Sequence, residues 1–136
     1  MTTRADIVRN ARTWLGVPFA HQGRSRAGVD CGGLLIVVAD EAGLCITPPA
    51  VYSQSPDPAV INTTLLANAT RIPLDQIQPG DILRFSFAGD PRHVGIASDI
   101  GVIHAWAKPG KVVEHRLDAV WRSRLREAWT PNGVTA

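Results

Sequence analysis

The stretch Val29-Asp30-Cys31-Gly32-Gly33-Leu34-Leu35-Ile36-Val37-Val38-Ala39-Asp40-Glu41-Ala42-Gly43 decides how the rest of the chain is read. It predicts a helix of about three turns, closed by Gly43 at a position that suits the left-handed backbone. Asp30 is a good N-cap, which places Cys31 on the first helical residue. Backbone N–H groups there have no intrahelical partner and the macrodipole favours negative charge, so a thiol is drawn toward its reactive thiolate. Gly32 and Gly33 carry no bulk, so a substrate can approach the sulfur and those N–H groups closely. They also cost the first turn helix propensity. From Leu34 onward the helix is apolar nearly all round, which predicts burial. Free cysteine is itself among the most buried residue types, so the helix alone leaves a packing role open for Cys31.

Upstream, Thr3 to Leu15 reads as a first helix, with Ile7, Val8, Ala11, Trp14 and Leu15 on one face. Thr3 and Asp6 resemble a capping box in which Asp replaces the usual Glu or Gln. Gly16 ends that helix, and Val17-Pro18-Phe19 leads out in extended form. Residues 20–29 form a polar loop that delivers the chain to Cys31. Its two arginines can meet an anion or simply be solvated.

Downstream, Asp57-Pro58 opens a short helix to about Ala69, with Val60, Ile61 and Leu65 inward. From Arg71 the hydrophobic period changes to two. Gln78-Pro79-Gly80-Asp81 is a turn, and strands are predicted at Ile82–Phe87, Arg92–Ala97, Val102–Ala107 and Val112–Leu117. A turn or short helix at Asp118 and a last strand over Arg124–Thr130 follow. Helices first and an antiparallel sheet second make an α+β fold.

Composition narrows the function. The 136 residues predict one domain with a core that needs no staples. Fourteen basic against twelve acidic residues leave a net charge of +2, with the arginines scattered, so no nucleic-acid partner is expected. The longest apolar run is too short to span a bilayer or to form a signal-peptide core, so neither a membrane partner nor an export address is expected. Cys31 and Cys45 lie about 20 Å apart along a helix, beyond the ~7 Å that a disulfide can bridge, so both read as free thiols. Cys45 reads as packing.

The chemistry rests on register. A four-residue loop, Ser98-Asp99-Ile100-Gly101, pairs Ala97 with Val102 and Gly95 with His104. His93 and His104 then become same-face diagonal neighbours about 7–8 Å apart at Cα, and Gly95 leaves room for the His104 ring. Cys, His and a third group orienting the His are the parts of an activated thiol nucleophile. His21 and His115 receive no role. Zinc held by Cys31, His93 and His104 is geometrically conceivable but has no matching motif, so no metal is expected.

Leu15-Gly16-Val17-Pro18-Phe19, Asp30-Cys31-Gly32-Gly33-Leu34, Pro79-Gly80-Asp81-Ile82-Leu83, His93-Val94-Gly95-Ile96-Ala97 and Ile103-His104-Ala105 follow in that order. Together they resemble the NlpC family of papain-like cell-wall cysteine peptidases, over nearly the whole chain. The resemblance implies a papain-like α+β core, one catalytic domain over residues 1–136 and no cofactor. It also implies hydrolysis of the peptidoglycan stem peptide, typically at the γ-D-glutamyl–diaminopimelate bond, with Cys31 as nucleophile, His93 as base and His104 as the orienting residue.

The loop His21-Gln22-Gly23-Arg24-Ser25-Arg26 and the small, signal-free chain resemble the subgroup encoded with bacteriophage tails and gene-transfer particles. That implies phage-tail proteins as further partners. It also implies synthesis in the bacterial cytoplasm and action from a tail-like particle on the cell wall. The family usually has tyrosine where this chain has Phe19, so a hydroxyl donor at the site is missing: either His21 or a water replaces it, or activity is reduced. Phe19, His21, Asp30 and Gly32 form the expected substrate-binding set. A structural tail component with weak or no catalysis, and a cysteine amidase or acyltransferase on another amide, are the alternatives.

Overall fold

A computed structural model of the chain describes residues 1–48 and 57–136. In chain order it contains β1 (Thr2–Thr3), α1 (Arg4–Arg12), β2 (Arg24–Ser25), β3 (Gly28–Val29), α2 (Cys31–Glu41) and α3 (Pro58–Asn68). These are followed by β4 (Ala69–Ile72), β5 (Ile82–Phe87), β6 (Asp90–Ala97), β7 (Val102–Trp106) and β8 (Lys111–His115). The helix α4 (Ala119–Arg124) and strands β9 (Leu125–Pro131) and β10 (Val134–Thr135) complete the order. Most of the proline-rich passage at 47–58 lies outside the described residues.

The helices begin and end for local reasons. Thr3 and Asp6 form a full capping box on α1, so aspartate does the work expected of Glu or Gln. The helix stops at Arg12, earlier than its apolar pattern predicts, and Leu15 is left 43% exposed while Trp14 is buried. Asp30 caps α2 by accepting from the Gly33 N–H at 2.6 Å. At the other end Leu44 N–H bonds Ala39 C=O and Gly43 N–H bonds Asp40 C=O, a Schellman closure with Gly43 at φ +94°. Contrary to expectation α2 is not buried all round. Gly33, Leu34 and Val38 are buried, while Leu35 and Ile36 line a cleft.

The main sheet has six strands in the order β4-β9-β5-β6-β7-β8, antiparallel throughout. The strand β4, where the sequence reading placed no strand, extends it by pairing Ala69–Ile72 with β9. Period-two alternation divides the sheet into two faces. One carries Val94, Ile96, Ile103, Ala105 and Val112, covered by α1, α2 and α3. The other carries Leu83, Phe85, Ala97 and Val102, covered by Trp121 of α4.

Two buried charges tie these layers together. The Asp81 carboxylate, 0% exposed, accepts from Arg4, Thr130 and the Gln78 N–H, fastening the turn before β5 to α1 and β9. Arg84, 2% exposed, donates to Asn62 of α3 and to the Pro91 carbonyl at 2.8 Å, beside Glu127 of β9. Buried polar groups persist only with such partners.

Candidate active site

The site lies where α2 meets β6. The predicted register holds: β6 and β7 pair as Ile96↔Ile103 and Ala97↔Val102 across Ser98–Gly101. Beyond those rungs the Cys31 thiol lies 3.8 Å from the Arg92 carbonyl and its sulfur accepts from the Val94 N–H. The sulfur thus touches the main chain on both sides of His93. Its position follows from the N-cap: Asp30 starts the helix, and the first residue of the helix meets β6.

His93 and His104 stand on the sheet face covered by α4, away from α1–α3, with His93 Nε2 2.6 Å from His104 Nδ1. A Cβ on Gly95 would lie 3.0 Å from the His104 Cβ and 2.7 Å from a Val102 methyl, so only glycine leaves that ring its place. His104 thus engages His93 through Nε2, and Nδ1 is the ring nitrogen outside that contact.

Two residues that sequence reasoning left without a role complete the group. His104 Nε2 is 2.8 Å from His115 Nε2, and His115 Nδ1 is 2.8 Å from the Arg116 carbonyl. Trp121 packs on all three imidazoles, with ring centroids 6.0, 4.9 and 5.0 Å from His93, His104 and His115. A signal for His115 was present. It lies as far beyond His104 as His104 lies beyond His93, and the β7–β8 hairpin repeats the four-residue loop, pairing Trp106 with Lys111.

The two flanking glycines do different work. A Cβ on Gly33 would sit 2.3 Å from the Gly23 carbonyl oxygen, so Gly33 permits the loop before the helix to pack on its first turn. A Cβ on Gly32 meets only the Asp30 carboxylate, at 4.0 Å. Gly32 therefore borders open space beside the thiol. The Asp30 carboxylate is buried and also accepts from the Gln22 N–H at 2.9 Å, so its first role is to lock that loop to the helix. Phe19 and His21 form an edge-on pair with centroids 5.4 Å apart, Phe19 half-buried and His21 exposed.

Burial controls the charges. It pushes the Cys31 thiol up to about 11, the Asp30 carboxylate adding to the rise, against the pull of the Val94, Gly32 and Cys31 N–H groups. The helix start therefore does not by itself make a thiolate, as the sequence suggested. Burial also pushes His93 down to about 4, helped by the nearby charges of His115 and Arg124. His104 falls to about 2, again chiefly through burial. Near neutral pH the Cys31 thiol and the His93 and His104 rings are therefore all uncharged. Both thiols are free, and Cys45 is the exposed one rather than a packed one.

A stability prediction follows from these shifts. The folded chain holds His93 and His104 neutral, whereas the unfolded chain protonates them near 6.5. Stability is complete above about pH 6.5 and is lost as pH falls toward 4, by on the order of 3 kcal/mol for His93. Thermal melts from pH 7 to pH 4 are expected to show a falling Tm, with a shallower slope in His104→Gln. A flat profile in the parent would contradict neutral burial.

Beside Cys31 an open apolar cleft lies between α2, α3 and the sheet, bordered by Gly32, Leu35, Ile36, Val60 and Arg92. Among the described residues no three His, Cys, Asp or Glu side chains are arranged to hold a metal ion. No described helix is long and apolar enough to cross a membrane.

Residues 16–130 match the NlpC/P60 family. A probable endopeptidase of Mycobacterium tuberculosis is 31% identical over 93 residues, 68% of this chain, which spans only 20% of that relative's length. The probable endopeptidase NlpC of Escherichia coli is 27% identical over 132 residues, covering 94% of this chain and 78% of the relative. Among solved structures, the NlpC/p60 domain of the peptidoglycan hydrolase SagA superposes with a TM-score of 0.67 at 25% identity, over 94% of this chain and 98% of that domain. An NlpC/P60 family protein from Bacillus cereus gives a TM-score of 0.73 at 20% identity, over 94% of this chain and 40% of that protein. The papain-like α+β fold expected from the sequence is thus the fold observed.

Proposed function

The chain belongs to the NlpC/P60 family, and from that premise we propose that it is a cysteine endopeptidase of the peptidoglycan stem peptide. One observation carries the reading. The Cys31 sulfur, at a helix N-terminus, touches the main chain flanking His93, whose far ring nitrogen is held by His104 at 2.6 Å.

In this reading His93 Nδ1 takes the Cys31 proton as the sulfur attacks the scissile carbonyl. The Cys31 and Gly32 N–H groups at the start of α2 face the developing oxyanion. The C–N bond then breaks, His93 returns its proton to the leaving amine, and a thioester remains on Cys31. Water, deprotonated by His93, cleaves the thioester, releases the acid and restores the thiol. His104 holds the His93 ring and its tautomer throughout. The resting pair is neutral, so proton transfer accompanies attack.

The γ-D-glutamyl–diaminopimelate bond is the expected target. One catalytic module, acting from a phage-tail-like particle on the cell wall, is the expected setting. Both rest on sequence resemblance. The apolar lining of the cleft, from Leu35, Ile36 and Val60, favours one second reading: a cysteine amidase or acyltransferase acting on a more apolar substrate.

Phe19 separates this chain from the family pattern it resembles. A phenol in its place can donate to substrate or oxyanion, worth about 3 kcal/mol at the transition state. Phe19→Tyr is expected to raise kcat on a stem peptide without changing Tm. His21→Ala is expected to lower kcat strongly only if His21, packed edge-on against Phe19, has taken over the donation. If neither variant changes kcat, the donors are the backbone N–H groups alone.

The test of function is digestion of purified peptidoglycan, with soluble muropeptides identified by mass. New amine and carboxyl termini within the stem are expected. Intact sacculi together with cleavage of another amide would favour the second reading.

A further inference from the structure

The spacing that brings His93 to His104 recurs one hairpin later, and its consequence is chemical. The Arg116 carbonyl oxygen can only accept, so His115 Nδ1, 2.8 Å away, carries a proton. In the uncharged form of His115, Nε2 is then bare. His104 Nε2, 2.8 Å from it, must donate, which leaves His104 Nδ1 bare. His93 Nε2, 2.6 Å from that atom, must donate in turn, and His93 Nδ1 is left unprotonated.

We propose that His115 is a positioning residue: anchored on the Arg116 carbonyl and acting through His104, it fixes the tautomer in which His93 offers Nδ1 as the base. The proposal deepens the peptidase reading and rests on it for its kinetic consequence, while the tautomers themselves are independent of substrate.

The surroundings fit such a relay. His104 is 0% exposed and Trp121 packs on every ring, so the His93–His104 bond is shielded from water, while the His115–Arg116 anchor lies at the surface. Trp106 stacks on His104 with the planes 20° apart, restricting rotation of the middle ring. The far ring, His115, is half-buried at the sheet edge. Reversing the relay requires only that His115 Nε2 become a donor. His104 Nε2 would then accept, His104 Nδ1 would donate, and the His93 proton would move to Nδ1, where it blocks the thiol.

Three substitutions separate these states. Glutamine keeps an acceptor for His104, phenylalanine removes it, and lysine can only donate. Long-range nitrogen–proton correlation spectra of the ring atoms, recorded on the folded ligand-free chain, read the tautomers directly. The parent and His115→Gln are expected to show Nε2–H on both His93 and His104. His115→Phe is expected to show mixed tautomers at His104 and a kcat on stem peptide about tenfold lower with KM little changed. His115→Lys is expected to show Nδ1–H on His93 and a larger loss of kcat.

A different tautomer in the parent would overturn the proposal. So would His104 keeping its Nε2 proton in both His115→Phe and His115→Lys with kcat within about twofold of the parent. Should His115→Phe fail to fold, His115→Lys against His115→Gln carries the same contrast at a half-buried edge position. If stem peptides are not cleaved at all, the peptidase reading fails while the spectra still decide the tautomers.

Discussion

His93→Ala abolishes turnover in this account, a loss of roughly 10²–10⁴-fold in kcat. In the proposed reading the imidazole takes the thiol proton, and burial holds that thiol protonated up to about 11. Without His93 the sulfur keeps its proton and remains a weak nucleophile. His104→Ala has a smaller effect, because His93 keeps its place between Phe85, Phe87 and Trp121. His104→Asn or His104→Gln recovers part of the loss by restoring one hydrogen bond to His93 Nε2. Steady-state kinetics on a stem peptide, with thermal melts to confirm folding, check both. Full activity in His104→Ala beside a dead His21→Ala would show that the constellation is assigned to the wrong residues.

The second large effect separates two adjacent glycines. Gly33→Ala places a methyl 2.3 Å from the Gly23 carbonyl oxygen and 2.8 Å from the Asp30 carboxylate. Main chain on one side and a capping carboxylate on the other leave no cheap relaxation, so the 20–29 loop must move off the helix. A loss of about 3 kcal/mol or more is expected, the upper end of overpacking costs, seen as a lowered denaturation midpoint. Gly32→Ala meets nothing closer than 4.0 Å. Its midpoint is expected to stay near the parent's, while KM for a stem peptide rises because the methyl borders the thiol. Equal destabilisation by the two substitutions would refute this division of roles.

What was legible in the sequence follows the reach of each interaction. Asp30, Cys31 and Gly43 mark a helix through contacts within a few residues, and that helix formed with its cap and closure as expected. The β6–β7 register was legible because a four-residue loop leaves one pairing that puts both histidines on one face. Leu15 was misread because helical periodicity continues past Arg12, while the helix end is set by Gly16 N–H bonding the distant Val112 carbonyl. The strand β4 was missed because its partner β9 lies more than fifty residues away. Arg84 alternates like an outward residue, and only α3 and Glu127 closing over it make it a buried strut. His115 received no role, although the repeated hairpin geometry places it on the His104 face.

The protonation of Cys31 was the least legible feature. A helix start argues for thiolate and burial argues for thiol, and the balance depends on how closely the sulfur packs against β6. The sequence contains the first argument and not the second.

The central claim is that the Cys31 thiol becomes acylated by its substrate. Intact-protein mass spectrometry of Cys45→Ser, quenched in acid moments after mixing with a stem peptide, tests this most directly. The account predicts a mass increase equal to the acyl half of the peptide, located on Cys31, released by hydroxylamine as a thioester and absent in Cys31→Ser and His93→Ala. Cleavage of the peptide that proceeds undiminished in Cys31→Ser would contradict it.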